Sequence, residues 1–294
     1  MKVRFCGVRG STPAPGAGFV GTGGHTACVA VTPEDRRGPT LLLDAGTGIR
    51  TVTDQLGGAP FVGAVALTHL HWDHVQGLPF FAAGDRPDAR VRLLLPAPPG
   101  RARDLLARAM SPPHFPIGPE GLLGEWSIEA LPAQDRVGGL RLLTAPVPHK
   151  GGRTVGLRVE EGGRALAYLP DHALTRLDEL TAPAAALVRG ADLLVHDAQF
   201  TDDERDVARR YGHATVEAAV DLALACGVGE LALFHHAPAR DDREVEQVLG
   251  RARRRAGDLV VSVAREGGQR HLGGAGSHRS RPSHPGPPRP APTR

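Results

Sequence analysis

Three imidazoles and a carboxylate fall within six residues in the segment Thr68-His69-Leu70-His71-Trp72-Asp73-His74. Imidazole nitrogen and carboxylate oxygen together suit zinc and its first-row neighbours, including manganese. On an extended chain alternate side chains share a face, so His69 and His71 point the same way. A turn beginning there lets Asp73 and His74 face a second cation. Histidine occurs 14 times in 294 residues, so chance would produce this pattern in roughly one chain in several hundred. Metals held as a close pair activate a shared water and neutralise charge on a transferred group. The chemistry indicated is metal-dependent hydrolysis.

The elements that must position these groups are legible as short apolar runs and turns. Residues 63–68 read as a buried strand ending at the histidine cluster. Other strands are expected at 2–8, 26–32, 40–44, 91–95, 127–131, 140–144, 154–160, 164–169, 192–196, 231–235 and 259–263. Helical spacing covers 47–56, 101–110, 214–226 and 242–255. Each half of the chain runs strands first and helices after. That order predicts an α/β (α+β) fold of two mixed sheets packed face to face with helices outside.

Composition narrows the class. Apolar content of 41% and charged content of 23% are ordinary for a globular protein, and no apolar run is long enough to span a bilayer. Gly (38) and Pro (26) are abundant, so loops should be many. The N-terminus lacks a long apolar segment, which leaves the cytoplasm as the expected compartment. Cys6, Cys28 and Cys226 lie in apolar segments without a CxxC pair and are expected as buried free thiols. The formal charge is +3, but Arg279, Arg281, Arg289 and Arg294 stand in a tail with no acid, so the body alone carries −1. Residues 1–272 are expected as one hydrolase domain, and the Pro- and Arg-rich residues 273–294 as disordered.

The segment HLHWDH resembles the HxHxDH signature of the metallo-β-lactamase superfamily. With GVRGSTP, GGHTACVAV and LLLDAGTGIR, it is similar to the branch containing ribonuclease Z and the phosphoribosyl cyclic phosphate phosphodiesterases. The resemblance spans about residues 1–265 and implies a four-layer αββα sandwich. It also implies further ligands. His149 in APVPHKGG would join His69 and His71, Asp171 in AYLPDH would bridge two metals, and His235 in LALFHHAP would join Asp73 and His74. His172 and His236, beside two of these, are expected to support the site or to lie outside it. The segment VHDAQF resembles the HEAT segment of ribonuclease Z, with Asp in place of Glu, and GHAT resembles its HST segment. By that match Asp197 orients and charges His213, and His213 protonates the leaving oxygen, while His196 is structural. The expected catalytic residues are therefore Asp73, Asp197 and His213.

The reaction implied is attack on phosphorus by a hydroxide shared between two metals, with zinc favoured and manganese an alternative. The expected substrate is a small or cyclic phosphodiester. The alternatives are a transfer-RNA precursor, a lactone, thioester or β-lactam, and a non-catalytic metal-binding scaffold. In ribonuclease Z a long basic arm that grips RNA follows the third histidine motif. Here only 22 positions separate His149 from Asp171, and they read as a hairpin. The body is slightly acidic, whereas a grip on RNA needs Lys and Arg at phosphates. Nucleic acid therefore remains an open partner, a membrane is not expected, and a homodimer is possible by resemblance. Residues 85–125 are read as a candidate cap over the site, lined by Met110, His114, Phe115 and Trp126, with plain packing the favoured reading for Met110 and Trp126. Lys150 and Arg153 are candidates to hold phosphate, and Arg9 and His25 to reach the site floor. Arg251–Arg255 reads as a solvated helix face.

Overall fold

The computed structural model describes residues 1–273, arranged as two seven-stranded sheets. The first sheet holds β1 (Lys2–Gly7), β2 (Cys28–Thr32), β3 (Leu41–Leu43), β4 (Val62–Ala66), β5 (Arg90–Leu95) and β6 (Glu125–Ala130) in spatial order. The second runs in order from β7 (Gln134–Val137) through β8 (Leu140–Pro146), β9 (Val155–Glu161), β10 (Arg164–Leu169), β11 (Leu193–Asp197) and β12 (Glu230–Phe234) to β13 (Val260–Val263). The last strand, β14 (Gln269–His271), returns to the first sheet beside β1. In the first sheet β1, β2 and β3 pair antiparallel and β3 through β6 parallel. The second sheet repeats the plan: β7 through β10 are antiparallel, and β10 through β13 parallel.

Side chains alternate between two apolar layers. On β4, Ala64 and Ala66 join the core between the sheets, while Val65 packs in the outer layer. On β12, Ala232 and Phe234 face the opposite sheet, and Leu231 and Leu233 face helices. Burial on both faces is why these strands read as continuous apolar runs rather than alternating ones. Beneath the first sheet lie a 3₁₀ turn at Thr47–Thr51, α1 (Val52–Gln55), α2 (Trp72–Val75) and α3 (Ala102–Ala109). The second sheet is covered by α4 (Ala182–Val188), α6 (Val216–Ala225) and α7 (Asp242–Ala256), with α5 (Arg205–Tyr211) before α6. Thr215 caps α6 by accepting from the Ala218 amide, and Asp241 and Glu244 close a capping box on α7. The result is the αββα sandwich anticipated from the order of elements.

The structure corrects several details. The helix expected over 47–56 opens as a 3₁₀ turn. Strands β7 and β14 and helices α4 and α5 were not anticipated. β14 reads Gln-Arg-His and has no apolar pattern; it forms because β1 offers an unpaired edge. The expected cap does not exist as a unit, because β5 lies inside the sheet and α3 packs on the outer layer. Trp126, on β6, packs there too, and its indole N–H donates to the Gly84 and Leu123 carbonyls. All three cysteines are buried and free. No helix of the described residues is long and apolar enough to cross a membrane. The expected tail lies, apart from Gly273, outside the described residues.

The backbone of β1 crosses the 3₁₀ turn at van der Waals distance. A Cβ on Gly48 would stand 2.5 Å from the Gly7 nitrogen and 2.6 Å from the Cys6 carbonyl. Backbone atoms cannot move aside as a side chain would, so Gly48→Ala should destabilise by about 2 kcal/mol, lowering Tm by roughly 5 °C. Gly250, inside α7, meets only the flexible end of Arg254 at 3.5 Å. Gly250→Ala should therefore raise stability by up to about 1 kcal/mol. Thermal denaturation of the two variants beside the parent protein checks both signs.

Candidate metal centre

Most of the chemically active side chains follow strand ends on one rim of the sandwich. Thr68 and His69 follow β4, and His71 caps the single turn α2, which carries Asp73 and His74. His149 follows β8, Asp171 follows β10, Asp197 ends β11 and His235 directly follows β12. His213 stands between α5 and α6. Loops at one edge of packed sheets can thus converge residues that lie up to 166 positions apart, from His69 to His235.

Two of the groups whose donor atoms lie within 4.8 Å of one another are His69, His71 and His149, and Asp73, His74 and His235. Asp171 lies between them. Its Oδ2 is 2.9 Å from His74 Nε2 and 3.3 Å from His235 Nε2. Its Oδ1 is 3.6 Å from His149 Nε2. His149 Nε2 and His71 Nδ1 are 3.3 Å apart, and His74 Nε2 and His235 Nε2 are also 3.3 Å apart. Nitrogens of neighbouring imidazoles turned toward one another at that distance suit a cation between them. His69 Nε2 is buried without a hydrogen-bond partner and points into the same space. Five imidazoles and two carboxylates, with no thiolate, fit divalent metals of the zinc and manganese type.

Outer partners determine which nitrogen faces the centre. His74 Nδ1 donates to Asp44 Oδ2 at 2.8 Å. His149 Nδ1 donates to the Gly212 carbonyl at 2.6 Å. His69 Nδ1 lies 3.1 Å from the Thr68 hydroxyl, which itself donates to Asp44. In each ring the other nitrogen, Nε2, is thereby turned to the donor set. On the opposite side, Asp73 Oδ2 accepts from the Ser11 amide at 2.7 Å. His235 holds φ at +56°, a left-handed backbone that a β-substituted residue adopts at a cost.

Electrostatics sorts these groups into two classes. Burial, then neighbouring imidazoles, hold His69 well below the ordinary histidine range and lower His71. Burial likewise lowers His149. These rings stay neutral and keep their lone pairs for a metal. Burial works against charge on His74, but Asp73, Asp171 and Asp44 outweigh it and draw positive charge to that ring. Burial also opposes ionisation of Asp73 and Asp171, yet the surrounding imidazoles hold both below the usual carboxylate range.

Beside the donor set, His213 Nδ1 is 2.9 Å from Asp197 Oδ2 and 3.5 Å from Asp171 Oδ1. Burial would lower its pKa, but Asp197 and then Asp171 raise it to about 9. Asp197 is fixed in turn by the amides of Gln199 and Ala214. The shorter Asp side chain therefore reaches His213 directly.

Other candidates fall outside the cluster. Arg9 is fully buried and donates to the carbonyls of Gly23, Ala237 and Arg240. His25 Nδ1 meets the Thr47 hydroxyl, and Lys150 donates to the Arg210 carbonyl. Arg153 is exposed beyond the donor set. His172 Nδ1 is 3.0 Å from His196 Nε2, a buried pair behind the site, and burial and then His196 lower His172 to about 3. His236 meets the Ala264 carbonyl. Sequence reasoning missed Asp44, Tyr168 and Ser11. Asp44 carried a readable signal: a carboxylate ending the run Leu41-Leu42-Leu43 must be buried, and a buried carboxylate needs partners.

Residues 40–236 match the Beta-lactamase superfamily domain. Ribonuclease Z of Pyrobaculum arsenaticum is 31% identical over 271 residues, covering 79% of this chain and 91% of that protein. A diphosphatase from the PhnP family shares the fold with a TM-score of 0.67 at 17% identity, covering 92% of this chain and 98% of the other. Human tRNase Z, short form, does so with a TM-score of 0.64 at 22% identity, covering 93% and 100%. The chain is a metal-dependent hydrolase and belongs to the metallo-β-lactamase superfamily, in its ribonuclease Z-like branch.

Proposed function

We propose that this protein hydrolyses phosphodiesters, and that its own substrate is small or cyclic. The observation that carries the reading is the His213–Asp197 pair, 2.9 Å apart and adjoining Asp171. A phosphodiester expels an alkoxide, which needs a proton, and a histidine kept cationic at neutral pH can supply it. His69, His71 and His149 would hold one divalent cation, Asp73, His74 and His235 a second, and Asp171 would serve both. Two such cations, zinc or manganese, would supply activated water and neutralise the phosphoryl oxygens. Asp197 accepts a hydrogen bond from His213 Nδ1–H, leaving the Nε2 proton for the departing oxygen. Ser11 orients Asp73 through its amide, and Gly212 orients His149 through its carbonyl.

Cleavage of a transfer-RNA precursor is the second reading, favoured by relatives that are ribonucleases Z. It uses the same bond chemistry and differs in substrate size. Between His149 and Asp171 the chain is spent on β9 and β10, joined by Gly162 and Gly163 at φ +56° and +76°. Two residues with positive φ make the tight hairpin turn that leaves no length for an RNA-gripping arm. That favours the small substrate.

Purified protein reloaded with zinc or manganese should hydrolyse bis(p-nitrophenyl) phosphate, and Asp171→Ala should lose at least ~100-fold. Metal bound without turnover would overturn the phosphodiesterase reading and redirect the search to lactones and thioesters. Faster, salt-sensitive cleavage of a transfer-RNA precursor would favour the second reading. His213→Ala should slow a cyclic alkyl phosphodiester by roughly 10²–10⁴-fold, but slow a p-nitrophenyl ester far less, because that leaving group needs little protonation. Equal losses on both substrates would remove His213 as the acid. Chelation followed by zinc at about 1,000 times its Kd should raise stability by about 4 kcal/mol, or Tm by roughly 10 °C, in calorimetry. An unchanged Tm would mean that the donor set takes no cation.

A further inference from the structure

One groove remains unexplained by the core or by the donor set. It has a volume of about 700 Å³ and is lined by Trp72, Val75, Phe80, Met110, Phe115 and Arg50, among others. Trp72 is 77% exposed and Phe80 58% exposed. Single exposed apolar side chains are ordinary, but two exposed aromatics in a shared concavity call for an occupant. Phe80 meets Phe115 edge to face, with ring centroids 5.9 Å apart at 89°. His114, expected from the sequence to line this region, does not, whereas Met110 and Phe115 do.

One short helix stands between the groove and the donor set and contributes to both. The turn α2 presents Trp72, Val75 and Gln76 to the groove, at helical spacings of three and four. The same turn presents Asp73 and His74 to the donor set. Trp72 is bonded on either side to donor-set residues, His71 and Asp73, about 3.8 Å away along the chain. Arg50, exposed and without an ion-pair partner among the described residues, adds a cationic edge. The volume matches small-molecule sites of roughly 300–1,000 Å³, and the wall is concave and aromatic as such sites are.

Resting on the phosphodiesterase reading, we propose that this groove is a subsite for a planar aromatic group of the substrate, a nucleobase or an aryl ester, stacked against Trp72 and walled by Phe80 and Phe115. Stacking of one base on an aromatic side chain contributes on the order of 5- to 150-fold in binding. Placed there, the ring would carry its phosphodiester to the donor set next door, and Arg50 would offer its charge to any second anionic group.

The test compares thymidine 5′-(p-nitrophenyl) phosphate with methyl p-nitrophenyl phosphate on the metal-loaded enzyme. Both lose the same leaving group, so chemistry is held constant. The KM of the methyl ester divided by that of the thymidine ester should fall by about tenfold in Trp72→Ala, and in the same direction in Phe80→Ala. An unchanged ratio overturns the subsite while leaving the hydrolase reading intact. Binding is read independently in Trp126→Phe, where Trp72 is the remaining tryptophan, by fluorescence titration with 1-naphthyl phosphate. Saturable quenching without turnover of any diester would support the subsite and sink the hydrolase reading; no quenching would overturn the subsite. Size-exclusion chromatography supplies the last arm. A dimer that dissociates on Trp72→Ala with no change in the KM ratio would make the groove a contact between copies, and the proposal would fall.

Discussion

The carboxylate of Asp44 ties the sandwich to its chemistry. It directly follows β3 with φ at +60° and is fully buried. It accepts from the Thr68 amide at 2.7 Å, the Thr68 hydroxyl, His74 Nδ1 at 2.8 Å and the Tyr168 hydroxyl at 2.9 Å. An unpartnered buried carboxylate would cost several kcal/mol, so this group is tolerated only because four donors converge on it. The four donors come from three separate segments. Thr68 belongs to the loop that carries His69, His74 to the turn α2, and Tyr168 to β10 of the opposite sheet. One anion therefore joins the two sheets and presents the bare face of His74 to the site. Through Thr68 it also reaches His69.

The rest of the centre follows from the duplicated plan of the sheets. In each sheet an antiparallel run gives way to a parallel one, and the parallel strands end on a common rim. Open sheets place their sites at such ends, where loops of different strands meet over one crevice. The first sheet contributes the dense cluster from His69 to His74. The second contributes one residue at each of four strand ends: His149, Asp171, Asp197 and His235. The first cluster can be read as a motif, whereas the second is scattered and acquires meaning only from the topology.

Substrate choice depends on what surrounds this shared centre. Under the proposed reading, the short β9–β10 hairpin on one side and the aromatic groove beside α2 on the other would together admit a compact ligand. The acidic balance of the body works in the same direction, since large polyanions are held by many dispersed cations. Within the superfamily the bond-breaking residues define the reaction, and the lengths and side chains of the loops around them define its scope.

The sequence by itself determined the hydrolytic character of the protein. Four ligands of two types in six residues after an apolar strand point to metal chemistry, and burial on both faces made most strands visible as continuous apolar runs. Resemblance added His149, Asp171, Asp197, His213 and His235, and all five stand in the cluster. Only the tertiary structure decided how these groups are held. The roles of Asp44, Tyr168 and Ser11 depend on contacts across 124 positions for Tyr168 and 62 for Ser11. β14 and β7 exist because neighbouring edges were free to pair, not because their own residues prefer strands. Arg9 is cationic in the sequence but buried against three backbone carbonyls in the fold. The physical reason is common to all of these. Local spacing encodes which face of an element a side chain occupies, whereas partnership in a buried, low-dielectric crevice is set by packing of distant segments, and no local pattern records it.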